Sequence, residues 1–105
     1  MVKDELEEFS KLADQYIITC DHTSLATLVE SYTKQDFTFS HPLYEAHYLY
    51  CLGNCYSKLY ETRKTEWYSD DLMKSVIFYR KAIHTLPKAN WKEHVNNIHA
   101  YDSLR

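Results

Sequence analysis

Glycine and proline are scarce in this chain of 105 residues, which contains one glycine and two prolines. Tight turns between β-strands depend largely on such residues, because they adopt backbone angles that others avoid. This scarcity predicts an all-α protein. Tyrosine, in contrast, occurs ten times, and it suits surfaces that bury an aromatic ring while the hydroxyl stays in water.

Basic runs and long apolar runs are missing as well. The formal net charge is −3 and the lysines and arginines are scattered, which argues against nonspecific binding to nucleic acid. No apolar stretch approaches the roughly 20 residues of a membrane span, and the acidic start does not resemble a signal peptide. The three cysteines are an odd count and all fall within helical patterns, which favours reduced thiols. We expect one cytoplasmic domain.

Apolar residues recur at steps of three and four in five segments, which is the spacing of helices buried on one face. The predicted helices cover about 2–20, 23–34, 43–61, 69–86 and 90–105. Asp21 or Thr23 is suited to cap the second helix, and Ser69 or Asp70 the fourth. The apolar stripe of the first helix is predicted to contain Leu6, Phe9, Ala13, Tyr16, Ile17 and Cys20. That of the fourth is predicted to contain Leu72, Met73, Val76, Ile77, Tyr79, Ala82, Ile83 and Leu86.

The third predicted helix is apolar or aromatic almost all round, so we expect it to pack on more than one side. The single glycine, Gly53, lies in the middle of it. A glycine inside a helix costs roughly 1 kcal/mol relative to alanine, so it needs a packing reason, and close approach of two helices is one.

An ordered set of residues begins at this glycine: Leu52-Gly53-Asn54-Cys55-Tyr56, then Ser75 and Tyr79 four positions apart, then Ala82 and Pro87. The set resembles the tetratricopeptide (TPR) signature, L-G-x2-Y followed by A-x3-F and P. Ser75 follows Tyr56 by nineteen positions, about ten more than in the family pattern, which predicts an inserted loop near residues 61–70.

The resemblance implies five helices arranged as antiparallel hairpins in a right-handed stack. Residues 1–41 would form a first helix pair, 42–89 the TPR-like unit, and 90–105 a capping helix or half repeat. A five-helix bundle whose spacing matches by coincidence is the alternative. The chain also resembles, more distantly, the helical repeats that precede HEPN-type ribonuclease domains in some bacterial proteins.

In TPR domains the first helix of each pair lines a concave groove. Carried onto this chain, the resemblance implies groove positions at His47, Tyr50, Asn54, Lys58, Lys92, Asn96 and His99. Asn54 and Asn96 match the residue type with which some family members hold a peptide carboxylate, but Tyr50 stands where such a clamp uses lysine. We therefore expect a groove for another helix or peptide. Alternatively, Asn54 is a buried amide that bonds the neighbouring helix.

The inserted loop carries Trp67 and Tyr68 among charged residues. Tryptophan and tyrosine dominate the energetics of many protein interfaces, so this pair is a second candidate for partner binding. The alternative is that Trp67 folds back onto its own helices.

Other constellations favour structural roles. His47, Cys51 and Cys55 share one helical face and could supply soft metal ligands, but core packing is the preferred interpretation. Arg80 and His84 are closer together than the arginine and histidine of HEPN ribonucleases, so we expect a surface pair. No arrangement typical of a catalytic or cofactor site is present. We predict no enzyme activity, metal or cofactor.

The sequence thus favours a non-catalytic module that binds another protein or peptide. A small regulator or inhibitor acting through the aromatic loop, as in phage or bacterial accessory proteins, is one alternative. A regulatory region of a HEPN-type protein is another. Self-association is a further expectation, because an uncapped final helix would expose Val95, Ile98 and Leu104.

Overall fold

A computed structural model describes residues 1–63 and 70–86, and these residues form four helices. The helices are α1 (Lys3–Ile18), α2 (His22–Thr33), α3 (Pro42–Arg63) and α4 (Asp70–Thr85). Each lies within about two residues of its predicted bounds, and the predicted all-α class is confirmed for the described part of the chain. The predicted fifth helix and most of the predicted inserted loop lie outside it.

Helix α1 ends in a tight turn that corrects the prediction for Cys20. The Asp21 amide donates to the Tyr16 carbonyl at 2.9 Å and the Cys20 amide to the Ile17 carbonyl at 3.2 Å, the two bonds of a Schellman motif. Cys20 occupies the left-handed position of that motif, with φ of 58°. It is therefore exposed beyond the end of the helix and does not join the apolar face.

Asp21 then begins α2. Its carboxylate accepts a hydrogen bond from the Ser24 amide at 3.2 Å, as expected for an N-cap residue. Hydrogen bonding from the Ser24 side chain, and after it from the Ser24 backbone amide, favours the ionised carboxylate and holds the pKa of Asp21 below its ordinary value.

The segment between α2 and α3 folds back onto the helices through aromatic rings. Five rings form a group that we call the aromatic cluster: Phe9, Tyr32, Phe37, Phe39 and Tyr48. The Met1 backbone nitrogen donates to the Thr38 carbonyl and holds the start of the chain beside this segment. Burial of the phenol raises the pKa of Tyr48 to about 12.

Helix α3 is central to the described fold, because it packs against α1, α2 and α4. Its buried residues point in several directions around the helix: Leu43, Ala46, His47, Tyr48, Cys51, Leu52, Gly53, Cys55, Tyr56 and Leu59. The prediction of a helix packed on more than one side is confirmed. Ring stacking continues toward α4, where Tyr56 lies parallel to Phe78 at 5.5 Å between centroids.

Helix α4 turns a different face to α3 than its apolar pattern predicted. The buried residues are Ser75, Ala82 and Thr85. The prediction of an apolar stripe facing inward was wrong for Met73, Val76, Ile77 and Ile83, which are 57%, 45%, 46% and 63% exposed. The buried Ser75 contacts the α3 backbone at Gly53, and the half-buried rings of Phe78 and Tyr79 contact α3 as well. None of the helices α1 to α4 combines the length and the hydropathy that a membrane-spanning helix requires.

Candidate functional site

The packing reason for Gly53 is the ring of Tyr79. A β-carbon built on Gly53 would lie 2.5 Å from Cδ1 and 2.6 Å from Cε1 of that ring, closer than packed carbon atoms come. The absence of a side chain at Gly53 lets α4 lay an aromatic ring directly on the backbone of α3. The sequence signal at this glycine therefore marks a real helix contact.

Two hydrogen bonds fix the crossing. The buried Ser75 hydroxyl donates to the Gly53 carbonyl at 3.1 Å. The Tyr79 hydroxyl donates to Oδ1 of Asn54 at 2.5 Å, and the Tyr50 ring lies 5.6 Å from the Tyr79 ring. The Asn54 amide therefore bonds the neighbouring helix α4, which was the alternative considered for this residue. Asn54 is half-buried and not fully enclosed.

Beside this crossing lies an open cleft of about 250 Å³ between α1 and α3. Its α3 wall consists of Asn54, Ser57, Lys58 and Glu61. Its α1 wall consists of Asp14, Ile17 and Ile18, and the Tyr79 ring of α4 closes one end. The volume is below the roughly 300–1,000 Å³ typical of small-molecule sites and suits one inserted side chain.

Charges of both signs surround the cleft. The ammonium of Lys58 lies 3.7 Å from the carboxylate of Glu61, and their side chains are 18% and 63% exposed. Asp14 adds a second carboxylate from the opposite wall. Helix α1 ends at the cleft, and its last turn contains no basic residue.

The structure brings together some of the predicted groove residues. Asn54 and Lys58 both line the cleft. Tyr50 does not line it, but its ring packs against the ring of Tyr79, which does. His47 is 8% exposed, belongs to the interior of α3, and does not line the cleft. The other predicted binding residues lie outside the described part of the chain: Trp67, Tyr68, Lys92, Asn96 and His99.

Several cleft residues were not predicted. Ser57 and Glu61 follow Asn54 by three and seven positions, so helical spacing could have placed them on the same face. No sequence pattern could have found Asp14, Ile17 and Ile18. Their position at the cleft depends on how α1 packs beside α3.

The candidate metal ligands are packed in the interior, where Cys51 and Cys55 are 3% and 0% exposed. No group of three or more metal-binding side chains occurs in residues 1–63 and 70–86. Arg80 and His84 are both exposed on α4.

Comparison of the chain with protein-family models, with curated proteins and with solved structures gave no match. Interpretation of the site therefore depends on its own geometry.

Proposed function

We propose that this protein is a non-catalytic, TPR-like interaction module that binds a peptide or helix of another protein in the cleft between α1 and α3. The observation that carries the proposal is that Asn54 and Lys58, expected in a groove from the sequence resemblance alone, line one cleft. The cleft combines apolar surface from Ile17, Ile18 and the Tyr79 ring with a few polar groups, the usual composition of a recognition site.

The order of helix packing supports the repeat architecture. Helix α1 packs on α2, α4 packs on α3, and α3 packs on both helices of the first pair, as in a stack of helix pairs in which each pair contacts the next. In our proposal the stack is right-handed and continues with a fifth helix over residues 90–105. The exposed apolar residues of α4, Met73, Val76, Ile77 and Ile83, offer surface for such a further helix. A cytoplasmic location is part of the same proposal.

The test is a pull-down from a cell lysate, read by mass spectrometry, with wild-type chain and two variants. Ser57→Trp fills the cleft from an exposed position of α3. Ser31→Trp makes the same change at an exposed position of α2, away from the cleft. We expect a partner that is retained by Ser31→Trp and lost with Ser57→Trp.

A partner retained by both variants would overturn cleft binding. It would favour the competing hypothesis of a regulator that acts through the segment containing Trp67 and Tyr68. Substitution of Trp67 and Tyr68 tests that hypothesis. Measurement of the oligomeric state tests self-association through residues 90–105, and the length of the parent gene tests a role beside a HEPN-type domain.

A further inference from the structure

The charged side chains among the described residues of the cleft already interact with other groups of the protein. The Lys58 ammonium lies 3.7 Å from the Glu61 carboxylate, and Asp14 on the opposite wall has an interaction partner of its own. A charged group of a ligand would compete with these partners and lose part of its own hydration, which costs free energy. These side chains therefore do not favour a charged ligand.

Apolar surface is what the cleft leaves uncovered. Ile18 is 76% exposed at the end of α1, Ile17 beside it is half-buried, and the Tyr79 ring closes one end of the cleft. Removal of such surface from water favours association. Since the cleft has a volume of about 250 Å³, one apolar side chain of a partner is enough to cover this surface.

Tyr79 is held in place from the side of α3. Its ring lies directly on the helix backbone at Gly53, where a β-carbon would lie 2.5 Å from Cδ1 of the ring. Its hydroxyl donates to Oδ1 of Asn54 at 2.5 Å, and the Tyr50 ring packs against it at 5.6 Å between centroids. A ring that is fixed before binding loses little conformational freedom when a ligand covers it, which makes it an effective anchor.

We propose that the partner segment inserts one uncharged apolar side chain into this cleft, where it packs on the Tyr79 ring and on Ile17 and Ile18. The inference rests on the proposed function and specifies the chemistry of the partner. It makes Tyr79 of α4 the principal binding residue of the site, in place of the polar side chains of α3.

The experiment is a selection of random peptides displayed on phage against the wild-type chain, with removal of peptides that also bind Ser57→Trp. We expect the remaining peptides to share one position that is occupied by leucine, isoleucine, methionine or phenylalanine. A charged or polar residue at the shared position, or the lack of a shared position, would overturn the inference and leave the proposed function intact. If no cleft-dependent peptide remains, both are overturned.

Variants of Tyr79 give a second readout on a selected peptide. Tyr79→Ala should weaken binding at least about tenfold, as for truncation of an aromatic anchor, whereas Tyr79→Phe keeps the ring and should retain most of the affinity. Phe78→Ala is the matched control and should leave the affinity unchanged. Phe78 is also half-buried and contacts α3 through Tyr56, but it does not line the cleft. No loss in Tyr79→Ala, or an equal loss in Phe78→Ala, would overturn the inference.

The peptide can also be varied while the protein stays wild type, which keeps the test independent of the folding of any variant. Replacement of the shared apolar residue of the peptide by alanine should weaken binding at least about fivefold. Replacement by lysine should weaken it no less. A lysine peptide that binds as tightly as the selected peptide would overturn the inference, because it would show that the cleft accepts a charged group.

Discussion

Helices α1 and α2 pack against α3 in one way, and α4 packs against it in the opposite way. On the α1–α2 side, large rings fill the space between helices, with Phe9 4.6 Å from Tyr32 and 5.3 Å from Tyr48 between centroids. On the α4 side, a ring fits only where a side chain is missing, because Gly53 lets the Tyr79 ring rest directly on the backbone of α3. Helix α3 thus has one side packed by large aromatic rings and another side on which α4 approaches its backbone closely.

The two modes predict different responses to substitution. A surface packed by large rings is damaged when volume is removed, whereas a close contact is damaged when volume is added. The comparison can therefore be tested with substitutions of opposite kind on the two sides of α3.

The largest effect should come from Phe9→Ala. Phe9 is fully buried, and truncation of such a ring costs about 3–5 kcal/mol in the free energy of unfolding. Chemical denaturation followed by circular dichroism measures this loss. Phe39→Ala, at a half-buried position of the same aromatic cluster, is the control and should cost clearly less. Equal losses would mean that the cluster is not organised around Phe9. If Phe9→Ala does not fold, Phe9→Leu gives the same ranking at smaller amplitude.

Gly53→Ala should come next, with a loss of about 1–2 kcal/mol. The added methyl overlaps the Tyr79 ring, and overpacking of this kind outweighs the roughly 1 kcal/mol by which alanine favours a helix. The same denaturation measurement applies. Ser57→Ala, exposed on the same helix, should be neutral or slightly stabilising.

A double-mutant cycle isolates the cause. In the Tyr79→Ala background, Gly53→Ala should no longer destabilise the protein, because no ring remains to be displaced. An undiminished loss in that background would show that the close approach of α3 and α4 is not the reason for the glycine.

Alkaline pH should weaken the aromatic cluster by up to about 2 kcal/mol. The pKa of Tyr48 is raised from 10.0 to about 12 in the folded state, so the unfolded chain loses this proton first. Stability is therefore complete below pH 10 and falls as the pH rises toward 12. Unfolding measured at neutral pH and at about pH 11 should show a smaller alkaline loss in Tyr48→Phe than in wild type. Tyr50→Phe, at an exposed position, should retain the wild-type loss.

The smallest effect concerns the turn that joins α1 to α2. Cys20→Gly should stabilise the protein by roughly 0.5–1 kcal/mol, because glycine adopts the left-handed backbone conformation without strain. The greater conformational entropy that glycine gives the unfolded chain offsets part of this gain. Thermal unfolding under reducing conditions detects the gain. Cys20→Ala keeps the β-carbon and should give no gain. An equal gain from both variants would show that removal of the thiol, not relief of the backbone, causes the effect.

Local patterning predicted the bounds of α1 to α4 to within about two residues, because apolar spacing and a cap such as Asp21 are local signals. Asp21 illustrates this, because an N-cap acts on residues only a few positions away. Two of the eight described residues that line the cleft, Asn54 and Lys58, were expected there from the TPR resemblance. The cleft residues of α1 and α4 could not be predicted without knowing which helices lie beside that face of α3.

The sequence by itself determined an all-α class over the described residues, the central position of α3, and a close helix contact at Gly53, because periodicity and a costly glycine are local signals. Tertiary structure decided the rest. It turned the small residues of α4 inward and left Met73 and Ile83 exposed, it buried His47, and it brought Asp14 and Ile18 of α1 opposite Asn54. These outcomes depend on the angles and distances at which helices pack, which a pattern of residue types along one chain does not specify.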